Sequence, residues 1–390
     1  MIISILGMAG EFNGKKTTAY YNCDVLNKKS DDYHNATDFL LKNYSDKFYF
    51  LGTLEAIDFQ KKLLEINEDL VEFIPIEDNS LDDIFEKVYG LISTIKDTEK
   101  VLLDITHGFR HQPISAIFSA TMHKFLNNSQ LDIIFAKQVV MHKSYEYIYL
   151  NEYIDMTQLS LLLTGFIRTL NFINSVEIDN LNTMAFESFS KALFSNDFKK
   201  LEASYKNLEI TLLQAKKNKN FNHLRELFKQ IEDTLRGFKE FDKKEIYEKY
   251  LVLANLMFDK NYYLISLTYL FEAIRMYATM SFYKKNIINN YAWNNVKMYN
   301  LNSDVMQCIN QKEFGDNYRP TRYDKNNFYD KNETIFEEIA DNYKKLRDLR
   351  NDLTHINHKK TQPNVKHDLH ELLKGVGTLI KNDILKYMKR

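Results

Sequence analysis

The first 155 residues alternate between two rhythms: short apolar runs closed by a glycine or a polar turn, and longer segments whose apolar residues recur about every 3.6 positions. Ile2–Leu6 opens the series and runs into Gly7-Met8-Ala9-Gly10, a strand entering a glycine loop. Phe48–Leu51 with Gly52-Thr53, Glu72–Ile76, Val101–Leu103, Asp132–Val140 and Tyr145–Leu150 read as further strands, with a shorter one within Thr17–Asp24. Between them, Ala36–Tyr44 and Glu55–Ile66 read as helices. Ser80 with Asp83 three residues on starts a third, whose apolar face runs from Leu81 through Ile84, Val88 and Ile92. After Val101–Leu103 comes a polar loop, and Pro113 then sits in the first turn of a helix in which Ile114, Ile117, Phe118, Met122 and Phe125 are expected to cover the sheet. Strands alternating with helices predict βαβ units, a mostly parallel sheet and a Rossmann-like α/β fold.

From about Asp155 the strand signal stops. Leu159–Phe172, Thr183–Phe194, Lys199–Ala215, Phe221–Phe238 and Glu245–Phe258 all carry helical periodicity, as do the segment around Ile335–Leu353 and the terminal Asp368–Met388. Tyr262–Tyr283 is the most apolar of these helices, with Glu272 and Arg275 its main charges before Lys284. An all-α C-terminal region is therefore expected. The pattern divides the chain into an α/β domain over 1–155, a helical linker or insert over 156–240 and a helical bundle over 241–390.

Composition narrows the class. With 390 residues the chain exceeds one typical domain of roughly 100 to 200 residues. Its 44% hydrophobic and 27% charged residues suit a globular protein, and 11 glycines and 4 prolines favour long helices over turn-rich β structure. Two cysteines, Cys23 and Cys308, are too few for a disulfide framework or a zinc cluster and fit a reducing cytoplasm. The first strand lacks the basic lead of an export signal, and the apolar run Leu159–Ile167 is too short to span a bilayer, so neither export nor membrane insertion is expected. The net charge of −1 conceals an asymmetry: residues 1–155 hold 24 acidic and 15 basic side chains, and the remainder 29 and 37. The C-terminal part is the one whose field attracts a polyanion such as RNA.

Two clusters carry candidate chemistry. Asp104, Thr106, His107, Gly108 and Arg110 follow the strand at Val101 and precede a helix N-terminus, where doubly wound folds keep their ligands. The Gly7–Gly10 loop has only two glycines before Glu11, which speaks against a dinucleotide fingerprint, and no metal-ligand spacing or Ser/His/Asp order is visible. The second cluster is Arg350-Asn351-Asp352-Leu353-Thr354-His355. Cleavage of RNA by its own 2′-hydroxyl needs no metal: a histidine moves protons and an arginine neutralises charge on the phosphate oxygens. On a straight helix Arg350 and His355 point roughly 140° apart, so either the helix bends or two protomers share the site. Glu272 either orients Arg350 or forms an internal salt bridge with Arg275. The segment 313–333, with Arg319 and Arg322 among tyrosines, is either a single-strand nucleic-acid surface or a solvated loop.

DITHGFRHQP, from Asp104, resembles the Asp-x-Thr-His-Gly motif of CRISPR-associated DxTHG proteins, whose N-terminal domain is a CRISPR-associated Rossmann fold (CARF). ISILGMAG and FLGT at 50–53 look like other ligand-side turns of that domain. RNDLTH at 350–355 resembles the Arg-x(4-6)-His signature of HEPN ribonucleases, which often place Asn after Arg, as Asn351 is here. The resemblance implies an accessory ribonuclease of type III CRISPR systems. It would be a homodimer or higher oligomer whose CARF domains bind cyclic oligoadenylate and thereby activate metal-independent cutting of single-stranded RNA, leaving 2′,3′-cyclic phosphate ends. Cyclic tetra-adenylate is the first choice of ring, with hexa-adenylate the alternative; no cofactor or metal is implied. Carried over, Arg350, His355 and Asn351 are catalytic, while Gly7, Met8, Ala9, Gly10, Thr53, Asp104, Thr106, His107, Gly108 and Arg110 bind the ring. Two other functions stay open: a non-enzymatic ligand-responsive regulator that binds nucleic acid, and a sensor that degrades its own ring.

Overall fold

A computed structural model describes all residues except 65, 67–68, 78–79, 95–99, 127–129, 174–177, 179, 196, 312–328, 355–361 and 390. Among the described residues, ten strands lie in the N-terminal part: β1 (Ile2–Ile5), β2 (Glu11–Phe12), β3 (Lys15–Lys16), β4 (Ala19–Asn22), β5 (Asp31–Tyr33), β6 (Phe48–Gly52), β7 (Val71–Pro75), β8 (Val101–Asp104), β9 (Leu131–Val140) and β10 (Ser144–Tyr149). Interleaved with them are α1 (Ala36–Asn43), α2 (Leu54–Leu64), α3 (Leu81–Ser93) and α4 (His111–Leu126). Eight strands form one sheet in the order β5-β4-β10-β9-β8-β1-β6-β7, and β2 pairs β3 in a separate hairpin. β1 is parallel to both β8 and β6, and the β6/β7 and β8/β9 pairs are parallel too, whereas β9/β10 and β4/β5 are antiparallel. From β1 the chain builds outward through β6 and β7 on one side and through β8 and β9 on the other. The gap between β1 and β8 at their carboxyl ends is therefore a topological switch point.

Alternate strand residues feed two cores, because successive side chains leave opposite faces of a strand. Ile2, Phe48 and Phe50 pack with Ala36, Phe39 and Leu40 of α1 and with Ala56 and Ile57 of α2. Ile3, Ile5, Leu103 and Ile133 pack with Ile84, Val88 and Ile92 of α3 and with Ala116 and Ala120 of α4. Helix α3 starts at the Ser80 cap its sequence promises, the hydroxyl accepting from Asp83 N–H, and α1 starts at Asn35, whose side chain accepts from Asp38 N–H.

Helix α4 departs from the expected face. Ile117 and Phe125 pack against the core, but Ile114, Phe118 and Met122 are 53%, 65% and 47% exposed. The buried face is instead small and polar. Ala116 and Ala120 let α4 approach closely, and the Ser115 and Ser119 hydroxyls donate to the Leu81 and Phe85 carbonyls of α3 at 2.7 and 2.9 Å.

Among the remaining described residues the long elements are all helices: α5 (Asn151–Thr169), α6 (Thr183–Phe194), α7 (Phe198–Lys217), α8 (Arg225–Thr234), α9 (Ile246–Asp259), α10 (Tyr263–Lys284), α11 (Asn290–Asn295), α12 (Met298–Gln311), α13 (Glu333–Thr354) and α14 (Gln362–Lys381). Two compact units result, one of Met1–Leu162 with Ile173–Thr183, the other of Leu163–Phe172 with Met184–Arg390. In the second, α10 is the central helix, packed by α9, α12, α13 and α14; Leu267, Leu270, Ile274 and Ala278 are fully buried along it. No described helix is long and apolar enough to cross a membrane.

Candidate functional site

The loops after β1 and β8 lie against each other at the switch point. A Cβ on Gly7 would stand 3.0 Å from Gly108 N and 3.1 Å from the His107 Cβ. Gly108 has φ +97°, a left-handed conformation costly for other residues, and a Cβ there would meet Ile5 Cγ2 at 2.6 Å and Gln112 Oε1 at 2.7 Å. These two glycines hold the loops in close contact.

Asp104 is fully buried and ties three strands together. It accepts from the Ser4 hydroxyl on β1 (2.8 Å) and from the Thr106 hydroxyl (2.5 Å) and N–H (3.2 Å). The Thr106 hydroxyl in turn accepts from Ala136 N–H on β9 at 2.9 Å, so its donor is spent on Asp104. Burial raises the Asp104 carboxyl to about 6, and the three bonds only partly offset it. His107 Nε2 accepts from Ala36 N–H, the first amide of α1, at 3.2 Å. The acceptor role makes Nδ1 the protonated nitrogen of a neutral ring, and burial pulls its pKa down to about 4. His107 thus caps a helix and keeps one neutral N–H donor.

A cavity of about 780 Å³ opens beside these loops. Met8, Ala9, Gly10, Thr106 and His107 line it, whereas Gly7, Thr53, Asp104, Gly108 and Arg110 do not. Thr53 caps α2, its hydroxyl accepting from Ala56 N–H at 3.3 Å, and Arg110 is exposed at the start of α4. Sequence reading missed other walls, among them Glu11 and Phe12 on the hairpin, His34, His142 at the β9–β10 turn, and Tyr21 stacked on Tyr145 at 4.8 Å. No lysine or arginine is among the described residues lining it. It also missed the support of the Gly7–Gly10 loop, a buried pair of amides. Gln60 donates to the Gly7 carbonyl at 2.5 Å, and Asn35 donates to the Ala9 carbonyl at 2.7 Å and to Gln60 Oε1 at 3.0 Å. Neither Asn35 nor Gln60 was singled out in the sequence, although Asn35 stands at the N-cap of α1.

In the second unit Arg350 sits in the last turn of α13. Leu346 and Leu349 anchor that helix in the core, and the Thr354 hydroxyl donates to the Arg350 carbonyl at 2.9 Å. Asn351 is exposed, and Arg350 is half-buried. Its guanidinium lies over the Phe271 ring of α10, 4.3 Å from the centroid. Glu272 pairs with Arg275 at 2.9 Å, three residues along the same helix, and not with Arg350. Arg275 is 5% exposed and also donates to the Tyr299 carbonyl at 3.3 Å. Among the described residues Arg350 makes no ion pair. His355, Arg319 and Arg322 lie outside the described residues.

No family model matches the chain, and no curated protein matches it in sequence. Among solved structures, Enterococcus italicus Csm6 bound to cyclic hexa-2'-fluoro-hexa-dAMP is similar over 99% of this chain and 97% of that one, at 14% sequence identity and a TM-score of 0.41. Among the described residues, no group of three or more His, Cys, Asp or Glu side chains is placed to hold a metal ion.

Proposed function

We propose that the chain is an endoribonuclease of type III CRISPR defence that cuts single-stranded RNA without a metal once a cyclic oligoadenylate occupies its N-terminal domain. The observation that carries this reading is the meeting of motif and chemistry at Arg350. The first residue of the RNDLTH motif is a half-buried guanidinium with no carboxylate partner among the described residues, so its charge is available to a phosphate. His355 takes the proton of the 2′-hydroxyl or delivers one to the departing 5′-oxygen. The 2′-oxygen bonds to phosphorus as the P–O5′ bond breaks, leaving a 2′,3′-cyclic phosphate and a 5′-hydroxyl. Arg350 offsets the charge building on the phosphate oxygens. A homodimer sharing one site supplies the second Arg/His set and meets the helical-phase objection to a single chain. Asn351 belongs with Arg350 and His355 in the catalytic set, Arg319 and Arg322 are the candidates for holding the strand, and the cytoplasm is the compartment.

At the N-terminal cavity the ligand would be gripped by backbone N–H groups and the neutral Nδ1–H of His107, since no lysine or arginine is among its described lining. Cyclic tetra-adenylate is the first ring to try and hexa-adenylate the second. Self-degradation of the ring draws less support, because the Thr106 hydroxyl is already engaged on both sides.

Arg350→Ala and His355→Ala are each expected to abolish cutting, a loss of at least about a thousandfold, while ring binding measured by calorimetry stays intact. His355→Ala cutting at the wild-type rate would remove that residue from the site.

A further inference from the structure

We infer that Phe271 is the positioning residue for Arg350, holding the guanidinium in place by its ring face so that every N–H stays available to phosphate. The inference rests on the reading that Arg350 meets the scissile phosphate. An arginine that must take up a phosphate faces two opposed demands. A carboxylate would fix its side chain but compete with the phosphate for the same donors, and no partner at all would leave the long side chain free among its rotamers. A ring face satisfies both, because it attracts the cation through its quadrupole without consuming an N–H.

The surroundings of Phe271 suit that task. The ring is 4% exposed and stacked on Tyr343 at 5.0 Å and 25°, so it is itself immobile. Tyr343 lies seven residues before Arg350 on α13, two helical turns away on nearly the same face, which brings both onto the same part of α10. Arg275 also stands near the ring, at 5.3 Å, but it is committed elsewhere: to Glu272 at 2.9 Å, to the Tyr299 carbonyl at 3.3 Å and to the Tyr299 ring at 5.1 Å. Of the two described cations beside Phe271, one is built into the fold and the other is presented.

The test is a mutant cycle on the full-length protein. Phe271→Leu and Phe271→Met, two non-aromatic replacements, are made in the wild-type and Arg350→Ala backgrounds, with melting temperature recorded for each. Affinity for a 2′-O-methyl RNA, which cannot be cut, and single-turnover cleavage of the ordinary RNA are measured with cyclic tetra- and hexa-adenylate supplied. Loss of the ring should slow cleavage at least tenfold and weaken RNA binding several-fold in the wild-type background, and change RNA binding less than twofold when Arg350 is already alanine. Cleavage within twofold of wild type in whichever replacement folds, or an equal loss of RNA binding in both backgrounds, overturns the inference. Undiminished cleavage by Arg350→Ala alone would instead overturn the reading beneath it.

Discussion

Asp104 and His107 lie three residues apart and are shifted so that their effects on stability oppose each other. Between the ordinary aspartate value near 3.8 and about 6, the folded protein keeps the Asp104 proton that the unfolded chain has lost, so this group lowers stability as pH rises through that window. Between 6.5 and about 4 the unfolded chain protonates His107 and the folded one does not, so this group lowers stability as pH falls. Each shift corresponds to on the order of 3 kcal/mol, and around pH 4 to 6 they largely cancel. Asp104→Asn removes the first effect alone. Its melting temperature should climb from pH 4 to pH 6.5 more steeply than that of the wild-type protein, and parallel profiles would contradict the buried-carboxyl geometry. The sequence marked both residues as a polar cluster on the best strand. Their work in the fold was hidden because Ser4, Ala136 and Ala36, the partners that define it, come from distant parts of the chain.

The elements themselves were largely legible. The Ser80 cap and apolar periodicity placed α3, α1 was read only as a short helix, and the glycine and polar turns placed the parallel strands. Face assignment failed at α4, where hydropathy ranks Ile114, Phe118 and Met122 above Ala116 and Ala120, but close packing on α3 admits only the small residues. Measured by denaturant unfolding, Ala116→Leu should cost about 1–3 kcal/mol, since it forces a large side chain into a filled contact. Phe118→Ser, on the exposed face, should stay within about 0.5 kcal/mol of wild type. The reverse order would restore the face that periodicity alone expects. The β2–β3 hairpin, β5 and the two-turn α11 escaped notice because each is too short to establish a period, whereas α12, at 14 residues long enough for one, was simply not read.

On the scale of the whole molecule, the change from alternating strands and helices to helices alone was clear in the pattern, and it corresponds to the parallel-sheet unit and the helical unit that follows. Less visible was how the helical unit treats its charges: Glu272 neutralises Arg275 and leaves Arg350 to an aromatic ring. The proposed function joins these units as sensor and cutter, and one assay addresses that link. The purified protein is incubated in EDTA with a fluorescent single-stranded RNA, with cyclic tetra-adenylate, with cyclic hexa-adenylate and with neither. The account predicts fragments ending in 2′,3′-cyclic phosphate in the presence of one ring and intact RNA without it; intact RNA under all three conditions, or cutting indifferent to both rings, would contradict it.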